Sequence, residues 1–261
     1  MMAVGSRSFD RAAPFYDRTR GLPAEATARV TELLAGELTG RGRCLEIGVG
    51  TGRIAWPLHE AGIVMAGIDL SRPMMSVLVE KAGRRVPFPL AQADATALPF
   101  PDHRFGAAIA SHVFHLIPEW RRALSEVTRV VRPGGVFLSS RGGRDRGGVL
   151  AAVRAEFQAR LGADAVHIGA AHASGDVEDA LVGLGARERP LPPVRATHTM
   201  AVGTIIDSLE AGQWSWAWGV PELRLHEAGR HTREWARSTF GPLEEPITVE
   251  SEVRWRAFDL A

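Results

Sequence analysis

The chain has 261 residues, 45% hydrophobic and 23% charged, with a formal net charge of +1, and its thirty arginines stand against a single lysine, Lys81. That composition excludes wholesale disorder, and the near-neutral charge gives no support for a general nucleic-acid or membrane-surface binder. A lone cysteine, Cys44, excludes an intrachain disulfide framework or a cysteine-built metal cluster.

Ala26, Val30, Leu33, Leu34 and Leu38 are spaced for one face of a first helix. Cys44 to Ile47 reads as a short apolar strand running into a glycine-rich turn, and Gly62 to Ile68 as a second strand. Ser71 and Pro73 then serve as N-cap and first turn of a helix ending near Ala82. Val86 to Ala91 and Phe105 to Ser111 are a third and a fourth strand. Trp120, Ala123, Leu124, Val127, Val130 and Val131 fall at i, i+3, i+4, i+7, i+10 and i+11, the stripe of an amphipathic helix. Arg132-Pro-Gly-Gly135 stops that helix, and Val136 to Ser140 is a fifth strand.

Residues 141–148 read as a loop, and Leu150, Val153, Phe157 and Leu161 mark a further helix. Ile247 to Ala257 alternates apolar and polar residues, as a strand with one wet face does. Val194, Ala196, His198 and Met200 alternate more weakly and are expected as its antiparallel partner. Ala201 to Pro246, with Trp214, Trp216 and Trp218, is expected as a helical insertion. There the tryptophans form either a hydrophobic plug or an aromatic wall over a ligand. Alternating strand and helix periods over residues 24–140 favour a mostly parallel sheet with crossover helices.

The glycine loop Glu46-Ile-Gly-Val-Gly-Thr-Gly-Arg53 follows a strand and opens a helix, the context in which a nucleotide loop is meaningful. Gly48 permits the turn, Gly50 a close approach of ligand to backbone, and Gly52 close packing of helix on strand. Asp69, at the end of the second strand, has a carboxylate able to accept from two ribose hydroxyls. The spacing is G-x-G-x-G rather than the dinucleotide pattern G-x-G-x-x-G. Glu46 would repel a pyrophosphate but suits a ligand that carries an ammonium and a sulfonium, as S-adenosylmethionine (SAM) does. A nicotinamide-dependent oxidoreductase is disfavoured on both counts.

Cys44-Leu-Glu-Ile-Gly-Val-Gly-Thr-Gly52, Gly67-Ile-Asp-Leu-Ser71, Ala93-Asp-Ala-Thr-Ala-Leu-Pro-Phe100 and Val131-Arg-Pro-Gly-Gly135 occur in order. Together they resemble the class I SAM-dependent methyltransferases, in the small-molecule branch called type 11. The resemblance implies a Rossmann-like, seven-stranded, mostly parallel sheet with helices on both faces. It also implies an antiparallel terminal hairpin and a helical insertion before the last strand. One domain is expected, with residues 1–23 as an N-terminal lid, 24–140 as cofactor core, 141–246 as acceptor-side helices and insertion, and 247–261 as the last strand.

The resemblance further implies roles for individual residues. Glu46, Gly48 and Gly50 border the methionine portion, and Asp69 binds the ribose. Leu70 and Met74 flank the adenine, while Asp94 and the Ala95 N–H meet its edge. Ser111 offers a carbonyl to the ammonium, Tyr16 and Arg20 close the lid, and Arg20 and Arg141 are candidates for a carboxylate or an anionic acceptor.

Methyl transfer from a sulfonium is an in-line displacement, served mainly by positioning. A base is needed only where the acceptor must lose a proton. His115 and His112, just after the fourth strand, are the candidate catalytic residues. No Asn/Asp-Pro-Pro-Tyr run points to a DNA enzyme, and no residue cluster points to a metal. The expected partner is therefore a small-molecule methyl acceptor, with no DNA and no membrane. A SAM-binding regulator without transfer is the alternative, and an RNA methyltransferase is less favoured. Met1 to Ser8 lacks the apolar region of a signal peptide and no run reaches the ~18 residues that span a bilayer. A cytoplasmic chain is expected, with monomer or homodimer left open.

Overall fold

The structure, a computed structural model, describes residue 6 and residues 8–140, 143–145, 148–162, 169–170 and 175–261. The chain divides into two compact units. Of the described residues, the first unit takes those up to Ser140, those from Gly169 to Val194 and those from Arg254 to Ala261. The second takes 143–145, 148–162 and Arg195–Val253.

In the first unit the strands are β1 (Cys44–Ile47), β2 (Met65–Asp69), β3 (Leu90–Gln92), β4 (Phe105–Ser111) and β5 (Val131–Ser140). After β6 (Gly143–Asp145) in the second unit come β7 (Arg187–Pro190), β8 (Val194–Ala201), β9 (Pro246–Val253) and β10 (Arg256–Asp259). The main sheet has seven strands in the order β3-β2-β1-β4-β5-β10-β7. The first five pair in parallel, and β10 is antiparallel to both β5 and β7. β1 is buried at all four positions and β4 at six of seven, the continuous burial of parallel strands covered on both faces.

The first unit's helices are α1 (Tyr16–Arg20), α2 (Ala24–Leu38), α3 (Ala55–Glu60), α4 (Arg72–Lys81), α5 (Trp120–Val130) and α7 (Asp176–Gly183). Ser71 caps α4 by accepting from the Met74 N–H at 3.2 Å. The apolar stripe of α5 is buried, and Leu124 and Val127 join Leu45, Phe137 and Phe258 in one core. The second unit holds α6 (Val149–Leu161), α8 (Val202–Glu210) and α9 (Glu222–Phe240) beside a three-stranded sheet in the order β6-β9-β8. Among the described residues no helix is long and apolar enough to cross a membrane.

Two expectations need correction. The alternating run from Ile247 to Ala257 is not one strand: residues 254–255 leave the ladder, and β9 and β10 belong to different sheets. β8 does neighbour β9, but both lie in the small sheet, and the antiparallel pair that ends the main sheet is β10 with β7. Alternation reports a half-buried strand, not the sheet it joins. β7, with the sequence Arg-Glu-Arg-Pro, has no apolar alternation to read. It is an edge strand, where proline is tolerated, and its charges are paired: Arg187 and Arg189 reach Asp259 at 2.9 Å, and Arg256 reaches Glu188. The tryptophan run is a tight 3-10 turn, Ser215–Ala217. Trp216 is buried edge-on against Phe157 with ring centroids 6.3 Å apart, and Trp214 lies under the Arg154 guanidinium at 4.6 Å. It is the plug of the second unit's own core.

Arg189 also reaches Glu37 of α2 at 2.7 Å and so ties that helix to the terminal strands. Its hydrogen bond, more than that of Arg187, holds the Asp259 carboxyl below its usual value. A carboxyl depressed in the folded state stabilises the fold above its unfolded pKa and loses that contribution as pH falls through the folded one. Arg189→Met is therefore expected to destabilise the protein by about 1 kcal/mol at neutral pH, its partners being 20% and 25% exposed. In urea titrations, the gap from wild type should close as pH is lowered to about 3. A gap of constant size would show that packing, not charge, is lost.

Candidate functional site

The carboxyl ends of β1, β2 and β4 open into a cleft in the first unit. It lies where the strand order reverses between β1 and β4, the place where open α/β sheets bind ligands. The glycine loop forms its floor. Gly48 has φ +71° and a Cβ there would stand 2.8 Å from Val113 Cγ2; Gly52 has φ +76° and a Cβ would stand 2.4 Å from Leu78 Cδ1 on α4. Only glycine meets both demands.

Asp69 is the hinge of this floor. Its Oδ2 accepts the Gly50 N–H at 2.8 Å and its Oδ1 the Ser71 N–H at 2.7 Å. Burial nevertheless raises its pKa, the backbone N–H donors opposing that rise. A carboxylate has about four lone-pair sites, so acceptor capacity remains for a ligand. Asp94 is similar: Oδ1 takes the Thr96 N–H and Oγ1, both at 2.8 Å, and Ser6 Oγ at 3.4 Å, which leaves Oδ2 available among the described residues.

Glu46 is the most unusual group. It is 2% exposed, on β1 between Gly67 and Ile109. The Ala55 N–H donates to its carboxylate, yet Oε2 has no partner among the described residues. Burial is the dominant effect on it and outweighs the pull of Arg53, raising its pKa to about 8. A buried carboxylate with an orphaned oxygen at a ligand cleft is a site for a cation.

The N-terminal segment covers one rim. Phe9 and Tyr16 line the cleft, their rings edge-on at 6.0 Å. Ser71 donates its side-chain hydrogen bond to Asp10 and so ties the segment to the cap of α4. Lys81 Nζ meets Asp17 Oδ2 at 2.5 Å and donates to the Thr51 carbonyl at 2.9 Å, while Thr51 Oγ1 donates to Asp17 Oδ1 at 2.6 Å. The single lysine thus joins α1, the glycine loop and the end of α4.

Of the residues singled out from the sequence, Tyr16, Glu46, Gly48, Gly50, Asp69, Leu70, Met74, Asp94, Ala95, Ser111 and His112 line this cleft. Arg20 and His115 are not among its lining residues. The Arg20 guanidinium donates to the Thr19 carbonyl at 3.1 Å, and the His115 carbonyl accepts from the Gly169 N–H at 3.1 Å within a 3-10 turn, Phe114–Leu116. His112 has φ +55°, a strained conformation for a residue with a side chain, and its N–H is held by the Ser140 carbonyl at 3.0 Å. Arg141 lies outside the described residues. Thr51 and Arg53 line the cleft unforeseen, as do Val113, Leu116 and Ile117. Their signal was position: Thr51 and Arg53 flank the last glycine of the loop.

Lys81→Met should loosen α1 without unfolding the protein. The ion pair is about one-third exposed on each side, so the loss is at most about 1 kcal/mol. Amide hydrogen exchange over residues 16–20 should quicken by no more than about five-fold. Unchanged exchange there would mean that Lys81 does not hold the helix.

Comparison with known proteins gives a consistent answer. The family described as Methyltransferase domain matches residues 45–139. A phosphatidylethanolamine N-methyltransferase from Cereibacter sphaeroides is 37% identical over 164 residues, 60% of this chain and 78% of that protein. A demethylmenaquinone methyltransferase from Renibacterium salmoninarum is 33% identical over 133 residues, 50% of this chain and 55% of that protein. The YcgJ protein of Bacillus subtilis shares the fold, with a TM-score of 0.60 at 19% identity over 91% of this chain and 99% of that one. With its glycine loop, its strand order and these relatives, the chain belongs to the class I SAM-dependent methyltransferases, among the small-molecule enzymes.

Proposed function

We propose that the cleft binds SAM and that the protein transfers its methyl group to an O, N or C atom of a small molecule with an apolar body. S-adenosylhomocysteine is the product. The observation that carries this reading is Glu46, a buried carboxylate among the residues that line the cleft, with one oxygen unpartnered among the described residues and suited to the ammonium at the amino-acid end of SAM. Bound SAM supplies a methyl group made electrophilic by its sulfonium sulfur.

The chain's residues do the positioning. Asp69 keeps lone pairs for the ribose hydroxyls after accepting Gly50 and Ser71. Leu70 and Met74 form apolar walls for the adenine, Asp94 Oδ2 accepts from its amino group, and the Ala95 N–H serves the ring. Tyr16 and Phe9 exclude water from one rim. A fixed donor and acceptor account for most of the rate of such a displacement. On the remaining side Val113, Leu116 and Ile117 are apolar and accompany His112. This suits an acceptor with an apolar body, the kind named for both relatives. His112, not His115, is then the residue to take a proton from an acceptor that must lose one.

The charge of Glu46 makes a pH prediction. Below about pH 8 the free protein holds a proton on Glu46, whereas an ammonium ligand favours the ionised form. Binding therefore expels that proton, and SAM affinity should tighten roughly tenfold per unit from about pH 6 to about pH 7.5. Calorimetry in buffers of different ionisation enthalpy should detect the proton. Glu46→Gln should weaken binding and abolish the slope, and a wild-type slope in that variant would remove Glu46 from the account.

His112→Ala should lower turnover about 100-fold or more for an acceptor that must be deprotonated, with S-adenosylhomocysteine affinity nearly unchanged. His115→Ala should leave turnover close to wild type. The measurement is S-adenosylhomocysteine release with a panel of quinols, aminoalcohol lipids and hydroxylated ring compounds. The reverse pattern between the two histidines would return His115 to the site.

A further inference from the structure

We propose that Gly169 is a positioning residue for the methyl acceptor. By lying backbone to backbone on the turn Phe114–Leu116, it sets how far that turn reaches into the cleft, and so how large an acceptor the protein takes. This rests on the proposal that a small-molecule acceptor sits beside His112, Val113, Leu116 and Ile117. Three observations lead to it.

First, main chain holds the turn from both ends. The Ser140 carbonyl at the end of β5 accepts the His112 N–H at 3.0 Å. The carbonyls of His115 and Phe114 accept the N–H groups of Gly169 and Ala170, each at 3.1 Å. The Phe114 carbonyl also accepts the Ile117 N–H at 3.3 Å, so both its lone pairs are used. Secondly, this approach demands glycine for room rather than for conformation. Gly169 lies outside the left-handed region, yet a Cβ there would stand 2.3 Å from the Phe114 carbonyl oxygen and 2.6 Å from the His115 carbonyl carbon. Both are backbone atoms, so no change of rotamer relieves the overlap, and either the turn or the segment that carries Gly169 must move.

Thirdly, the part free to yield is the acceptor side. Ala170 is buried in the same core as Phe114, Val177 and Leu181, which anchors the segment beside Gly169. Leu116 and Ile117 line the cleft, and Val113 fills the space that a side chain on Gly48 would need. Bulk at position 169 therefore drives the turn into the cleft and narrows it. The cofactor side is built independently: Asp69 takes the N–H groups of Gly50 and Ser71, and Asp94 that of Thr96, none of them in this turn. A wall displaced by about 1 Å costs on the order of 100-fold in rate, and one methylene of acceptor counts for roughly 10-fold or more in a fitted apolar pocket.

The test is a cycle of Gly169→Ala and Leu116→Ala, made singly and together. Values of kcat/KM are measured for pairs of acceptors from the panel that differ only in the size of one apolar substituent. Gly169→Ala should shift the ratio within a pair against the larger acceptor by roughly 10-fold or more. Leu116→Ala should shift it the other way, and the double variant should return it towards wild type. S-adenosylhomocysteine affinity, by calorimetry, should stay within about threefold throughout. A merely structural role would lower kcat for both acceptors alike and leave the ratio unmoved, which would overturn the proposal. Amide hydrogen exchange needs no acceptor: in Gly169→Ala the Leu116 and Ile117 amides should quicken about tenfold, with those of Gly50 and Ser71 as in wild type. Unchanged exchange in the turn would overturn the proposal too. Wild type that methylates no acceptor of the panel would instead refute the reading on which the proposal rests. Melting curves guard against misfolding. If the alanine variant does not fold, Ala170→Gly loosens the same contact without added bulk and should quicken the same two amides.

Discussion

A carboxylate buried on the central strand of a parallel sheet is the constraint on which the site depends. Glu46 occupies a buried position on β1, between Gly67 and Ile109 of the neighbouring strands. Removing an ion from water there costs several kcal/mol unless it is paired, and the protein pairs it only in part. One backbone N–H and the field of Arg53 leave Oε2 without a partner, and the carboxyl answers by holding its proton to about pH 8. The fold thus carries a polar group whose environment, on the proposed function, a cationic ligand completes. In the proposed reading, the free energy that this unpaired carboxyl costs is recovered as affinity for a cation.

The rest of the first unit serves this arrangement. Strand order places β1 and β4 side by side at the reversal point, so the loops after both face the same cleft. Glycines let the loop turn sharply enough for Gly50 to give its N–H to Asp69. Asp69 in turn fixes the start of α4 through the Ser71 N–H. Lys81 at the other end of α4 returns to Thr51 and Asp17, so the glycine loop, α4 and α1 are joined by a short circuit of polar contacts. Arg53 joins the end of α1 to the end of β4.

Much of this was legible in the sequence because the residues concerned are bound to motifs. Glu46, Asp69 and Asp94 sit at strand ends, and the apolar period of α5 has one structural solution. What was illegible depends on tertiary contact. Arg20 and Arg53 are alike in composition, and only the fold turns one away and brings the other to the cleft. Lys81 belongs to no motif, and its partners Asp17 and Thr51 come from distant parts of the chain. His115 was separated from His112 by the 3-10 turn that follows the strained residue. The last alternating run hid a change of sheet, because the charged strand β7 that pairs with β10 has no apolar pattern to reveal it.

The central claim concerns the protonation of one carboxyl, and carboxyl-carbon NMR of 13C-labelled protein measures it directly. The Glu46 signal is assigned by its loss in Glu46→Gln. In the free protein it should titrate near pH 8, against an ordinary value of 4.5. With S-adenosylhomocysteine bound it should stay ionised throughout that range. Titration near the ordinary value in both states would contradict the account, because Glu46 would then be neither strained by burial nor relieved by a cation.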